Sequence, residues 1–250
     1  MQLHDASFRY SDVAHLDPMT IPEHSHDRAS LNLVISGDYP EHCKDLRRRA
    51  FPPGHLIYKP PGQPHANQLT VPVRSLVIEL SHNTFETLCS HDDRFNKPWQ
   101  AFDPTSSRLA QQLCYRLRVD DDQDVSCSLA FELLDHACDR SPQRNPTWLG
   151  KVIDLIMSDY ARSPSIDELS TFAGISPTHF ARAFKQATGH TAGEFIRARR
   201  VSAALALLAE DQHSGAEVAA EVGFSDESHM IRTVRKALRT SPAGFRRSVR

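Results

Sequence analysis

His24, His26 and His65 carry side chains able to do chemistry near neutral pH. A neutral imidazole nitrogen accepts hydrogen bonds and also ligates borderline metal ions. Gly37 follows the first two at close range, and Gly54, Pro60 and Gly62 precede the third. Brought together, three imidazoles would hold zinc or iron with a fourth position open. Without metal they would line a pocket and grip an effector by hydrogen bonds. Both readings stand at this level, with His42, Cys43 and Glu79 as weaker ligand candidates.

A second chemically able set lies in the last third. Phe180 and Phe184, four residues apart, must face inward on one helix, which leaves Thr178, His179, Ala181, Arg182 and Lys185 on its outer arc. Met230 and Val234 do the same for another helix and expose Glu227, Ser228, His229, Ile231, Arg232 and Arg235. A guanidinium such as that of Arg182 or Arg232 can pair with guanine O6 and N7. A carboxylate such as Glu227 can accept from cytosine N4, and Thr178 or Ala181 can touch a thymine methyl. Lys185 and Arg235 suit phosphate.

The elements that must position these side chains are stated twice. Each helix is preceded by a shorter apolar-faced segment, a glycine (Gly174, Gly223) free to take positive φ, and a serine (Ser176, Ser225) able to cap the next helix. This is a helix-turn-helix in tandem. The glycines align at an offset of 49 residues, while the later helix positions need 50, so the second unit carries one extra residue near the start of its second helix. Between the units, residues 193–210 predict a helix with a broad apolar face. It would be about 25 Å long and could set two readers about one DNA turn, roughly 34 Å, apart.

The tandem pattern, over residues 149–247, resembles the DNA-binding domain of AraC/XylS-type transcription regulators. The matching residues include Gly189, Phe195, Arg200, Ala204 and Leu208, then Ala219, Val222, Phe224, Asp226, Ser241, Pro242, Phe245 and Arg246. Val234, Leu238, Arg239 and Ala192 depart from the family's usual residues. The histidine and glycine spacing resembles the two cupin motifs, although Ser30 and Leu69 stand where metal-binding cupins place Glu and Asn. The resemblance implies a sequence-specific regulator of double-stranded DNA with a small-molecule or metal effector in an N-terminal barrel. It also implies a homodimer with RNA polymerase among its partners, and no catalytic residue. Two rivals are a metal-dependent cupin enzyme with a DNA-binding tail and an architectural DNA protein without an effector.

The rest of the chain sets bounds. It has 250 residues, 40% hydrophobic and 24% charged, as in ordinary globular proteins. The expected fold class is α+β multidomain: a cupin-like β-barrel at 1–95, a helical hairpin at 96–140 offering a dimer contact, a linker at 141–147, and an all-α domain at 148–250. The hairpin rests on Leu109, Leu113 and Leu117 and on Leu129, Leu133, Leu134 and Ala137, joined by an acidic turn at 120–124. From residue 149 onward 14 Lys and Arg face 11 Asp and Glu, whereas the preceding part carries 15 against 20, so the basic half is the half with the motifs. The run Arg47, Arg48 and Arg49 reads as solvated surface. Five cysteines without a C-x-x-C pair argue against a disulfide framework. No apolar run approaches about 18 residues and no leader pattern opens the chain, which predicts a cytoplasmic protein without a membrane span.

Overall fold

The computed structural model describes residues 2–4, 7–44, 46, 50–119, 122–138, 146–210 and 213–238. The arginine run at 47–49, most of the linker (141–145) and the motif positions from Arg239 onward lie outside them.

Ten strands build the N-terminal part: β1 (Gln2–His4), β2 (Phe8–His15), β3 (Met19–His24), β4 (Ser30–Ser36), β5 (Tyr39–Pro40), β6 (Ala50–Phe51), β7 (Leu56–Lys59), β8 (His65–Leu69), β9 (Val73–Leu80) and β10 (Trp99–Ala101). Six form an antiparallel sheet in the order β1-β2-β9-β4-β7-β10, and β3-β8 and β5-β6 form two-stranded sheets. Alternate side chains leave a strand on opposite faces. Leu31, Leu33, Leu56, Tyr58, Leu76, Ile78 and Leu80 therefore fill one core, while Val34, Ile57 and Val73 fill another with Tyr39, Phe51 and Leu69 of the smaller sheets. Both faces of β4 are buried, with Leu31 and Leu33 in the first core and Val34 in the second.

The first core is closed by two helices, α2 (Pro104–Val119) and α3 (Gln123–Cys138), which supply Leu109, Leu113, Leu117, Leu133 and Leu134. They form the expected hairpin. Sequence reading did not foresee α1 (His82–His91) or β10. Trp99–Ala101 pairs with Leu56–Tyr58, and Trp99 stacks on Tyr58 at 5.0 Å. The sheet therefore runs past the boundary expected at residue 95, because a three-residue strand is specified by its partner rather than by its own periodicity.

Among the described residues, six helices build the C-terminal part: α4 (Leu149–Asp159), α5 (Ile166–Ala173), α6 (Pro177–Thr188), α7 (Ala192–Glu210), α8 (Gly215–Glu221) and α9 (Glu227–Leu238). Ser165 with Glu168 and Ser214 with Glu217 form reciprocal capping boxes that start α5 and α8. Helix α7 is the common wall. Phe195 and Ile196 pack with Phe180 and Phe184 on one side, and Val201, Ala204, Leu205 and Leu208 pack with Met230 and Val234 on the other.

The two parts meet through α2. Ser202 Oγ on α7 lies 3.0 Å from Ser107 Oγ and accepts from Gln111 Nε2 at 2.7 Å. Gln112 Nε2 donates to the Ala237 carbonyl of α9 at 2.7 Å. The turn before β7 also reaches α7: Gly54 has φ +91°, and a Cβ there would collide with Ser202 Oγ.

Candidate nucleic-acid interface and sensor pocket

Helix α6 is set by its ends. Gly174 adopts the left-handed conformation (φ 70°) that closes α5, and Ser176 Oγ accepts from the His179 N–H to open α6, with Pro177 in the first turn. A chain of aromatic contacts then fixes its rotation: Trp148 against Phe180 at 5.4 Å and Phe180 against Phe184 at 5.5 Å, both tilted, and Phe184 edge-on to Phe195 at 5.3 Å. With both phenylalanines buried, Thr178, His179, Ala181, Arg182 and Lys185 are all exposed.

Helix α9 begins differently. Asp226, not Ser225, accepts from the His229 N–H (2.7 Å), and that contact holds the Asp226 carboxyl below the usual carboxylate range. The extra residue moves the cap by one position, so Asp226 rather than Ser225 stands 50 residues beyond Ser176. Ser225 Oγ instead contacts Asp226 Oδ2 and lies 3.1 Å from His229 Nδ1, while the His229 ring meets Phe224 edge-on at 5.2 Å. His229 and Ile231 are half-buried, whereas Glu227, Ser228, Arg232 and Arg235 are exposed. Glu227 leans toward Gly215 at the start of α8, where a Cβ would strike its carboxylate. Gly223 (φ +84°) admits a close approach of the Ala161 carbonyl and Arg200. Arg200 in turn donates to the Tyr160 and Ala161 carbonyls at 2.9 Å, joining the second turn to the end of α4.

In the N-terminal part, a polar row crosses the large sheet. Arg9, Glu79, Ser30 and Lys59 are successive cross-strand neighbours on β2, β9, β4 and β7. Lys59 Nζ donates to Glu41 Oε2 at 2.9 Å, both side chains being almost fully buried. Asn67 Nδ2 donates to the Pro40 carbonyl, and burial, then Glu41, pushes the Tyr39 phenol up. Glu41 Oε1 and Asn32 Oδ1 are buried without a hydrogen-bond partner among the described residues. A buried polar atom in that state costs about 1–3 kcal/mol, so these atoms favour a polar guest.

His24, His26 and His65 come together as expected. Their ring centroids are 4.3 to 5.2 Å apart, and one nitrogen from each lies within 4.8 Å of the others. His24 Nδ1 meets the Pro22 carbonyl at 2.9 Å and His65 Nδ1 the Gln63 carbonyl at 3.0 Å, contacts that a protonated Nδ1 makes, directing Nε2 elsewhere. Burial, with Lys59 next, lowers His65 to about 4, and burial with His24 lowers His26. Neutral imidazoles with their second nitrogen tied to a carbonyl fit a divalent metal, and they fit a polar effector equally. Ser30 is buried at the start of β4, and Leu69 lies in the apolar core. His42, Cys43 and Glu79 are not part of the histidine cluster; Cys43 Sγ instead accepts from Gln63 Nε2. Sequence reading missed Ser107, Gln111 and Ser202, small or neutral residues whose role appears only when α2 meets α7, and it placed Gly54 in a motif without its contact to Ser202.

Comparison with known proteins is consistent with this geometry. Residues 12–135 match the AraC-like ligand binding domain and residues 169–248 a helix-turn-helix domain. The chain is similar to the probable transcription factor PqrA of Proteus vulgaris, 37% identical over 81 residues, covering 32% of this chain and 66% of that one. It is also similar to the Right origin-binding protein of Escherichia coli, 34% identical over 84 residues, covering 34% of this chain and 29% of that one. The chain thus spans under a third of the length of several curated relatives it matches. The solved structure of ToxT from Vibrio cholerae aligns over 97% of this chain and 98% of its own at 13% identity, with a TM-score of 0.41. With an AraC-like ligand-binding domain followed by a helix-turn-helix domain, the chain belongs to the AraC-type transcription regulators.

Proposed function

We propose that this protein binds operator DNA sequence-specifically through α6 and α9 and that a small polar effector in the N-terminal sheet domain controls that binding. The observation that carries the reading is the outward arc of two capped helices braced on one wall, with Arg182, Lys185, Arg232 and Arg235 exposed. Arg182 and Arg232 read base edges, and Lys185 and Arg235 hold phosphates. His229 supports the start of α9 more than it reads bases, since its ring is held by Phe224 and Ser225.

The effector would bind beside the histidine cluster, where Lys59 and Glu41 are close enough to act on His26. His24, His26 and His65 either contact it directly or hold a zinc or iron ion for it, the open coordination position then facing the guest. Strand β7 joins this site to the interdomain contact. Lys59 sits at one end, while His55 precedes the other and packs against Phe102 at 5.1 Å, which meets Phe195 of α7 at 6.2 Å. A ligand that prefers one setting of β7 thereby biases where α7 rests, and nothing is transmitted unless it binds the two settings unequally. The protein acts as a homodimer in the cytoplasm, with RNA polymerase as a partner at promoters, and no residue is assigned a catalytic role.

Selection of genomic fragments by the purified protein tests the reading. A common motif should emerge, and substitution of Arg182 with Arg232 should abolish its enrichment. Enrichment without sequence preference would favour an architectural role, and no enrichment of DNA would end the proposal.

A further inference from the structure

Away from the barrel, three potential ligands converge where the two halves meet. Asp103 lies between β10 and α2 with no exposed surface, His136 belongs to α3, and His190 sits between α6 and α7. One donor atom from each lies within 4.8 Å of the other two. His136 Nε2 is 3.2 Å and His190 Nε2 3.7 Å from the same carboxylate atom, Asp103 Oδ1, and Thr105 Oγ1 is 3.4 Å from His190 Nε2.

The plain alternative is a histidine–aspartate hydrogen bond with a neighbour. It accounts for His136, and His190 Nε2 lies 3.7 Å from the carboxylate and within hydrogen-bond distance of Thr105 Oγ1, so it is the convergence of three donor atoms on one point that suggests a metal. Zinc bonds of about 2.0–2.2 Å arranged tetrahedrally put neighbouring ligand atoms roughly 3.3–3.5 Å apart. The two measured separations straddle that value. The carboxylate is already oriented, since Asp103 Oδ1 accepts from the Thr105 and Ser106 N–H groups at 2.9 and 3.0 Å. The His190 segment is likewise held, its carbonyl accepting from Thr188 Oγ1 at 2.8 Å.

We propose that Asp103, His136 and His190 form a binding site for a divalent transition-metal ion, zinc by its ligand chemistry, that clamps the first DNA-reading unit to the sensor half. Two imidazoles and one carboxylate select a borderline cation over calcium or magnesium, and Thr105 or water completes the shell. His190 immediately follows Gly189, the left-handed residue that ends α6, so ligation fixes the exit of that helix against α2 and α3. The site shares no residue with the barrel histidines, and its existence does not depend on the DNA-binding reading.

Zinc alone, measured by equilibrium dialysis and elemental analysis on the full chain, tests it. The His24→Ala/His65→Ala variant should retain an equivalent of zinc that the His136→Ala/His190→Ala variant lacks relative to the unsubstituted protein. A circular-dichroism-normal His136→Ala/His190→Ala protein with unchanged zinc content would overturn the proposal. Should that variant fail to fold, His190→Cys loaded with cobalt decides. A thiolate-to-cobalt charge-transfer band absent from the parent protein supports the site, and its absence rejects it.

Discussion

At Arg182, a side chain on the exposed arc of α6, charge and geometry make a sharp forecast. Arg182→Ala should weaken operator binding by about 1–3 kcal/mol and relax preference at one base position, read by competition binding against single-base variants. Uniform weakening across all sequences would reassign it to phosphate. His65 makes a different one. Its folded value of about 4 lies below the ordinary histidine value of 6.5, so the folded state binds fewer protons between them. Stability should be full above 6.5 and fall as pH drops toward 4, a limb that His65→Asn should flatten in pH-dependent thermal melts. Asp12 acts further down the scale. Burial opposes its charge, but Arg74 (2.9 Å) and Arg118 (2.6 Å) outweigh that and lower its value below the usual carboxylate range. Its contribution is present above the ordinary carboxylate pKa and is lost in acid. Asp12→Asn should therefore lower the melting temperature at neutral pH and do progressively less only as the pH falls below the ordinary aspartate value. The outer arc of α6 was legible in the sequence because Phe180 and Phe184 have only one inward direction available. The Asp226 cap was only half legible: the extra residue could be counted, but which side chain then took the cap depends on turn geometry.

Among the elements, α2 does most to hold the molecule together. It covers the sheet with Leu109, Leu113 and Leu117, and meets α7 and α9 through Ser107, Gln111 and Gln112. Its amphipathic period announced the first role. Nothing announced the second, because serine and glutamine on a helix read as solvated until a partner covers them. The Gly54 turn behaves alike: its glycine matched a motif, but the collision that excludes any side chain comes from Ser202, far away in sequence. Gly54→Ala should cost about 1–3 kcal/mol in backbone strain and push the turn away from α7. Operator affinity should change while the mutant's sequence preference does not, as measured by titration of labelled fragments. An unchanged affinity would remove β7 from the signalling route. Strand β10 and helix α1 escaped sequence reading for the same reason as α2's second role, since neither carries a pattern that stands without its neighbour.

Across the whole molecule, the described residues place a sheet domain, a helical hairpin and a reader domain in continuous contact rather than as separate bodies. The outward face of α3 carries Val125 and Phe131, both exposed, and Phe131 rests edge-on against Phe8 at 4.8 Å. If α3 supplies the dimer contact, Phe131→Glu should shift sedimentation from dimer to monomer, while an unaltered boundary would move the contact elsewhere. The order of a β-rich part before a helical part, and the two tandem helix-turn-helix units, were visible in the sequence. The interdomain arrangement was not, because it depends on surfaces assembled from distant segments.

Helices α6 and α9 of the tandem unit start on unlike caps. The first helix opens on Ser176 and Pro177, the second on Asp226 with a histidine folded back on its own start. Two such unlike probes would read unlike words. An operator for one copy of this protein should therefore have a head and a tail, and inverting the site relative to its promoter should present the transcription machinery with the opposite side of the regulator.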